Sequence, residues 1–405
     1  MLKLKILLLI IFLITSKSVK SQNTELIFSI NASLIDIDNS NPEYPFKELP
    51  QLQNIFQNVK IFGFGEATHG TKEFQELKDK FFRYLVVNCN VKTFAIEANY
   101  GDCLSIDSYI KGGGGNPKEV LRKIGYWIWN TNEILSLIEW MKLYNSSQIK
   151  ENQLSFIGID VLNCENVSKI LYKYLQSDPS ADNQQYLTVL NSYISKKNEN
   201  NLRKKEFEEH YLVLKSLALK LKDPYLWQAN NSILQYILMK INYTQSLRDE
   251  LMFKNINWLA ENTKGNIFIC AHNSHIKKSN ISFNSLGYYL KNKYFEKYYS
   301  LGFDFGSGSF NAWDIENNKI KSYTIDEPLK KTSTEVFNGA SSDIYFLDFN
   351  KSGYFPALNE FITSKVLYRD IGSPYSPKMV QKEKLKEAFD GIIFVKKSSE
   401  STVLY

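Results

Sequence analysis

Within the stretch IFGFGEATHG (61–70), a carboxylate, a hydroxyl and an imidazole follow one another as Glu66, Thr68 and His69. The chain has only four histidines, and two others stand close together in CAHNSHIKK as His272 and His275. Glu97 closes the run KTFAIEA and Asp160 closes LSFIGID. An imidazole titrates near neutral pH and can take a proton from water, and a neighbouring carboxylate can orient it. A second imidazole can hydrogen-bond an oxyanion or protonate a leaving group. Each residue also has a plainer reading. A histidine after a strand can be a loop residue, and Glu97 or Asp160 can cap the next helix. His272 and His275, three apart, would share one helix face, where one of them could be purely structural. Convergence favours chemistry, because burying several ionisable groups in one cleft is costly unless they serve each other or a substrate. The sequence lacks the G-x-S-x-G elbow of a serine hydrolase and the H-E-x-x-H zinc motif. Glu66, Glu97, His69, His272 and His275 could nevertheless ligate a metal, which is the chemical rival to water activated by histidine alone.

These residues need a scaffold that brings remote segments together. Short runs rich in β-branched and aromatic residues recur along the chain: Val59–Glu66, Lys92–Ala98, Leu154–Asp160, Gly265–Asn273, Tyr298–Phe305, Ile344–Asn350 and Gly391–Lys397. Most are apolar almost throughout, as expected of strands covered on both faces. Helical patterns lie between them. Lys72–Asn88 carries Phe74, Leu77, Phe81, Tyr84 and Leu85 at spacings of three and four, and Asn132–Tyr144 repeats the pattern with Ile134, Leu135, Ile138 and Met141. The alternation predicts an α/β fold, a mostly parallel sheet flanked by helices. The region from about 166 to 262 contains no strand pattern and reads as a helical insertion subdomain. KGGGGNP (111–117) joins two helices rather than a strand and a helix, so it is a weak candidate for a phosphate loop. In such a sheet, ligands bind beyond the carboxyl ends of the strands, where Glu66, His69, Glu97, Asp160, His272 and His275 fall. His210, in a charged helical stretch, reads as a surface residue.

Residues 1–21 read as a signal peptide. Lys3 and Lys5 precede a nine-residue apolar run, Ile6–Ile14, too short to span a bilayer. The expected mature chain, 22–405, is one α/β domain, secreted or periplasmic and not an integral membrane protein. Without the four lysines of 1–21, 45 basic residues face 43 acidic ones, which gives no electrostatic case for nucleic acid. The four cysteines, Cys89, Cys103, Cys164 and Cys270, are widely spaced, without a C-x-x-C pair. Cys270 reads as a buried thiol.

In order along the chain, GEATHGTKEFQELK, FAIEANYGD, WIWNTNEILSLIEWMKLYN, FIGIDV, SLRDELMFKNINWL, AHNSHIKK, YYSLGFDF, RDIGSPYSP and FDGIIFV resemble the signatures of the erythromycin esterases. The resemblance implies an α/β sheet with a helical subdomain and hydrolysis of an ester, in the best-known members the macrolide lactone. It implies that His69 activates water with no covalent intermediate, and it places Glu66, Glu97, His272 and His275 on active-site positions. Lys78, Arg248 and Asn273 are expected to contact substrate; no cofactor or resident metal is expected. Lys78 stands where macrolide-active members carry arginine, keeping the charge but losing the planar fork. Arg248 and Asp249 could lean into the cleft or pair on the insertion's surface. Trp127 and Trp129 are expected in the core or cleft wall. Macrolide-inactivating members are expected in the cytoplasm, so a signal peptide implies another small ester or lactone. Two other readings stay open: a metal-dependent hydrolase using the same residues, and a non-catalytic cell-envelope binder.

Overall fold

The computed structural model describes residues 23–46, 50–177 and 183–404; the expected signal peptide lies outside them. Strands β1 (Ile35–Asp36), β2 (Ile61–Phe64), β3 (Val91–Asn99), β4 (Ser155–Asp160), β5 (Asn266–Cys270), β6 (Tyr298–Asp314), β7 (Lys319–Ile325), β8 (Ile344–Asp348) and β11 (Gly391–Ser398) form a nine-stranded sheet. Its order is β1-β8-β11-β6-β2-β5-β3-β4, with β7 paired to β6. From β11 to β4 every neighbouring pair is parallel; β8 and β7 run antiparallel to their neighbours β11 and β6. A separate antiparallel hairpin joins β9 (Lys365–Arg369) and β10 (Val380–Lys384). The expected mostly parallel sheet flanked by helices is the observed architecture.

Alternation of side chains explains why the central strands are apolar throughout. In β5, Ile267 and Ile269 enter one core while Phe268 and Cys270 enter the other. The face holding Phe62, Phe64, Phe94 and Phe268 is covered by helix Lys72–Asn88 through Phe74, Leu77, Phe81, Phe82 and Leu85. The opposite face is covered by the segment between β4 and β5. Among the described residues that segment, from Glu165 to Asn262, contains only helices; Leu171, Ile233, Ile237, Met252 and Ile256 are buried there. No helix among the described residues is long and apolar enough to cross a membrane. All four cysteines are free, with Cys270 buried at the end of β5.

The pairing of β3 with β4 contains an irregularity that matters for chemistry. Ile96 pairs with Gly158 and Asn99 with Asp160, so β3 carries one residue more than β4 across the interval containing Glu97. Such a bulge re-aims side chains at a strand end. Gly158 makes room for it: a Cβ there would lie 2.4 Å from the Asn99 carbonyl oxygen and 2.5 Å from that of Ala98. Gly158→Ala must therefore displace the β3 backbone. We expect it to destabilise the fold by about 1–3 kcal/mol, the usual cost of overpacking, measured as a lowered denaturant midpoint. An unchanged midpoint would show that the bulge tolerates a methyl group.

Candidate active site

Four neighbouring strands, β2, β5, β3 and β4, deliver the expected residues to one edge of the sheet. After β2 the chain presents Glu66 and His69. The Glu66 carboxylate is wholly buried, with Oε1 2.5 Å from His69 Nδ1 and Oε2 accepting from Lys78 Nζ. Burial alone would raise the Glu66 carboxyl, but Lys78 and then His69 outweigh it and hold it at about 2. An ionised Glu66 places the imidazole proton on Nδ1, which leaves the His69 Nε2 lone pair for the cleft that the ring lines. Gln75 donates from Nε2 to the Ile128 carbonyl at 3.0 Å, and Thr131 Oγ1 donates to Gln75 Oε1 at 2.6 Å, which braces the helix that follows His69.

Lys78 lies beneath this pair rather than in the cleft. It is 2% exposed, bonded to Glu66, and packed over the Trp129 ring at 5.6 Å. Burial disfavours its ammonium, but Cys270 and Glu66 outweigh that and raise its pKa. Burial pushes the Cys270 thiol itself up to about 12, so near neutral pH it is a thiol and Glu66 is the charge that matters. The expectation that Lys78 contacts substrate does not match this position: its charge is already committed to Glu66 underneath the base.

Asn273, likewise expected to contact substrate, engages its side chain with β6 rather than with the cleft. Its Nδ2 donates to the Phe303 carbonyl at 2.8 Å and its Oδ1 accepts from the Phe303 N–H at 3.1 Å. Its backbone N–H donates to the Glu66 carbonyl at 3.0 Å. The side chain pins the end of β5 to β6, and Gly65 leaves the space, since a Cβ there would meet Asn273 Oδ1 at 2.0 Å.

Glu97, on the β3 bulge, is the meeting point of three segments. Its Oε2 accepts from the His272 backbone N–H at 2.9 Å. Its Oε1 lies 2.9 Å from Arg248 Nη2 and 3.2 Å from His275 Nε2. Burial opposes its ionisation, yet His275 and Arg248 hold it well below the usual carboxylate range. Arg248 and Asp249 lean inward from helix Gln245–Asn262 and do not pair on its surface. Arg248 donates from Nε to Asp160 Oδ1 at 2.9 Å and from Nη2 to Asp160 Oδ2 at 2.5 Å, a bidentate grip on the end of β4. Asp249 Oδ1 is 2.9 Å from His275 Nδ1.

The two histidines after β5 differ in state. His275 sits between Asp249 and Glu97; burial works against its charge, but these carboxylates push its pKa up to about 10. Its Nε2 is also 3.3 Å from Arg248 Nη1, a contact that a neutral ring would accept. With a carboxylate at each nitrogen the imidazolium is the favoured form, its Nε2–H directed at Glu97, and the Arg248 Nη1 hydrogens are then left unclaimed by His275. His272 is the neutral ring. Its Nε2 lies 2.9 Å from the Ile371 carbonyl and must donate, while Nδ1 accepts from the Ser274 N–H at 3.2 Å and faces Ser274 Oγ at 2.8 Å. Burial lowers its pKa, with Asp370 opposing. The His69 and His272 ring centroids are 5.1 Å apart.

Three histidines and two glutamates therefore converge as the strand pattern requires. His210 is remote, half-buried in helix Lys204–Ala218 with Nδ1 2.9 Å from the Tyr193 hydroxyl. Trp127 lines the cleft, while Trp129 is fully buried and donates to the Glu97 carbonyl at 2.9 Å. Sequence reasoning passed over Asp370, which follows β9 and lines the cleft 3.5 Å from His272 Nδ1; its place within RDIGSPYSP was the available signal. The cleft has a volume of about 650 Å³. Among the described residues, no group of three or more His, Cys, Asp or Glu side chains is arranged to hold a metal ion. The donors are instead committed to one another.

Comparison with known proteins shows the family and the fold. A family model described as erythromycin esterase matches residues 86–398. The chain is 21% identical to an erythromycin esterase type II of Escherichia coli over 90% of this chain and 96% of that protein. Among solved structures, one described as a succinoglycan biosynthesis protein superposes with a TM-score of 0.85 at 24% identity, covering 94% of this chain and 99% of the other. A mutant erythromycin esterase in its open conformation superposes with a TM-score of 0.65 at 17% identity, covering 89% and 96%. These structural likenesses extend the shared fold over nearly the whole length. The chain belongs to the erythromycin esterase family, which points to a hydrolase.

Proposed function

We propose that this chain is an exported hydrolase, secreted or periplasmic, that cleaves a small ester or lactone with water activated by His69. The observation that carries the reading is the Glu66–His69 pair. A fully buried carboxylate, kept ionised by Lys78, holds the imidazole in the tautomer whose Nε2 lone pair meets the cleft. Water bound there gives a proton to Nε2 as its oxygen adds to the carbonyl carbon. The same proton passes to the leaving oxygen when the carbon–oxygen bond breaks, so no covalent enzyme intermediate is needed.

The developing oxyanion requires positive charge already in place. The Arg248 guanidinium and the His275 imidazolium supply it. Arg248 is clamped by Asp160 and Glu97 and turns Nη1 toward the ring that lines the cleft. His275 acts through charge, because both its nitrogens face carboxylates. His272 acts as a wall and helix cap, its N–H being committed to Ile371. Export rests on the pattern of residues 1–21.

Ester turnover should fall by about 10²–10⁴ in His69→Ala, the range for loss of a general base, while the thermal midpoint stays close to wild type. Near-wild-type kcat in a folded variant would remove His69 from the mechanism.

The charge on His275 also makes a pH prediction. Its pKa is raised from 6.5 to about 10, so the stability it contributes is fully present below about pH 6.5 and is lost as pH rises through about 10. Asp249→Asn removes the larger of the two attractive partners. Melting curves from pH 6 to 10.5 should show wild type losing more stability across this window than the variant. Parallel curves would show that His275 is not charged in the folded protein.

A further inference from the structure

We propose that the cleft above His69 takes the ester of a neutral carbohydrate, with a sugar hydroxyl bound by Asp370. This deepens the hydrolase reading and rests on it. Asp370 is the cleft's incompletely bonded acid. Its side chain is 8% exposed, Oδ2 accepts from Gln381 Nε2, and Oδ1 has no hydrogen-bond partner. A buried carboxylate oxygen left unbonded has lost its water without a replacement partner, which is costly. His272 Nδ1, 3.5 Å away, already accepts from Ser274 and carries no proton to offer in the neutral ring. A hydroxyl donor from the substrate satisfies Oδ1.

The rest of the wall has the same character. Trp127 and Phe283 present half-buried aromatic rings, Ser373 presents a hydroxyl, and Gln245 and Gln381 line the wall with amides already bonded to Asp249 and Asp370; aliphatic side chains are a minority of the lining. A sugar ring has an apolar C–H face and an edge of hydroxyls. Aromatic faces suit the first, and groups that both donate and accept suit the second. The volume of about 650 Å³ accommodates a sugar ring of drug-like size with its acyl group. Charge narrows the class further. The unbonded Asp370 carboxylate oxygen repels a substrate carboxylate or phosphate beside it, while Arg248 and His275 are already engaged by Asp160, Glu97 and Asp249. Uronic acids and sugar phosphates are therefore disfavoured.

Two measurements on the full chain test this. Calorimetric titration of folded wild type with cellotetraose should show saturable binding, weakened at least tenfold in Asp370→Asn and in Trp127→Ala, with no binding of tetragalacturonate. In parallel, the ratio of kcat/KM for acetylated cellobiose to that for 4-nitrophenyl acetate should fall at least tenfold in both variants, with circular dichroism verifying their fold. Absence of cellotetraose binding by wild type, equal binding of tetragalacturonate, or an unchanged ratio in both variants would overturn the carbohydrate inference. Hydrolysis of 4-nitrophenyl acetate without sugar binding overturns this inference and leaves the esterase reading standing. Sugar binding with neither ester hydrolysed overturns the esterase reading and supports the carbohydrate site.

Discussion

Glu97 is the constraint on which the rest of the site depends. A single buried carboxylate ties the end of β3 to the backbone after β5 through His272, and to the helical layer through Arg248. Two charges taken out of water cost more than their attraction returns unless the remaining hydrogen-bonding capacity is filled. Here it is filled apart from the Arg248 Nη1 hydrogens: Arg248 binds Asp160 with two nitrogens, and His275 bridges Glu97 and Asp249. The network is a poor source of stability compared with apolar packing, but it fixes orientation. Removing one member would leave a buried charge without its partner, so the network couples the helix Gln245–Asn262 to the sheet edge.

The sheet order makes this possible. The strands β2, β5, β3 and β4 are neighbours and parallel, so their carboxyl ends open onto a single edge. The base comes from β2, the two rings from β5, the hub from the β3 bulge and the guanidinium's anchor from β4. The helical layer closes the edge with Arg248 and Asp249, and the segment after β9 adds Asp370 and Ile371. Proton positions then follow from which neighbours are carboxylates. His275, with acids at both nitrogens, holds charge, whereas His272, with a carbonyl at one nitrogen and a serine at the other, stays neutral.

Much of this was legible in the sequence, for identifiable reasons. The strands covered on both faces announce themselves by continuous apolar character, and all seven such runs are strands. The edge elements do not. Strand β7 has only exposed and half-buried residues, and β10 reads VQKEK, with Glu383 its one fully buried side chain. Strand β6 continues well past Phe305 because Gly306 and Gly308 let the backbone pass close to β11, a contact that no hydropathy pattern records. The ionisable residues at the strand ends were legible by type, but direction was not. Lys78 and Asn273 lie next to the right residues and point beneath the cleft, one to Glu66 and the other to Phe303. Asp370 was missed for the converse reason: an acid following an arginine near a loop rich in Gly and Pro carries no periodicity, and only the hairpin's placement brings it to His272.

The central claim is that buried neighbours, carboxylates at His69 and His275 and a backbone carbonyl at His272, assign the protons of three rings. Long-range nitrogen–proton correlation spectra of the imidazoles at pH 8 test it most directly, with single His→Gln variants giving the assignments. The account predicts His275 protonated on both nitrogens, His272 on Nε2 and His69 on Nδ1. A neutral His275, or a His69 proton on the nitrogen facing the cleft, would contradict it.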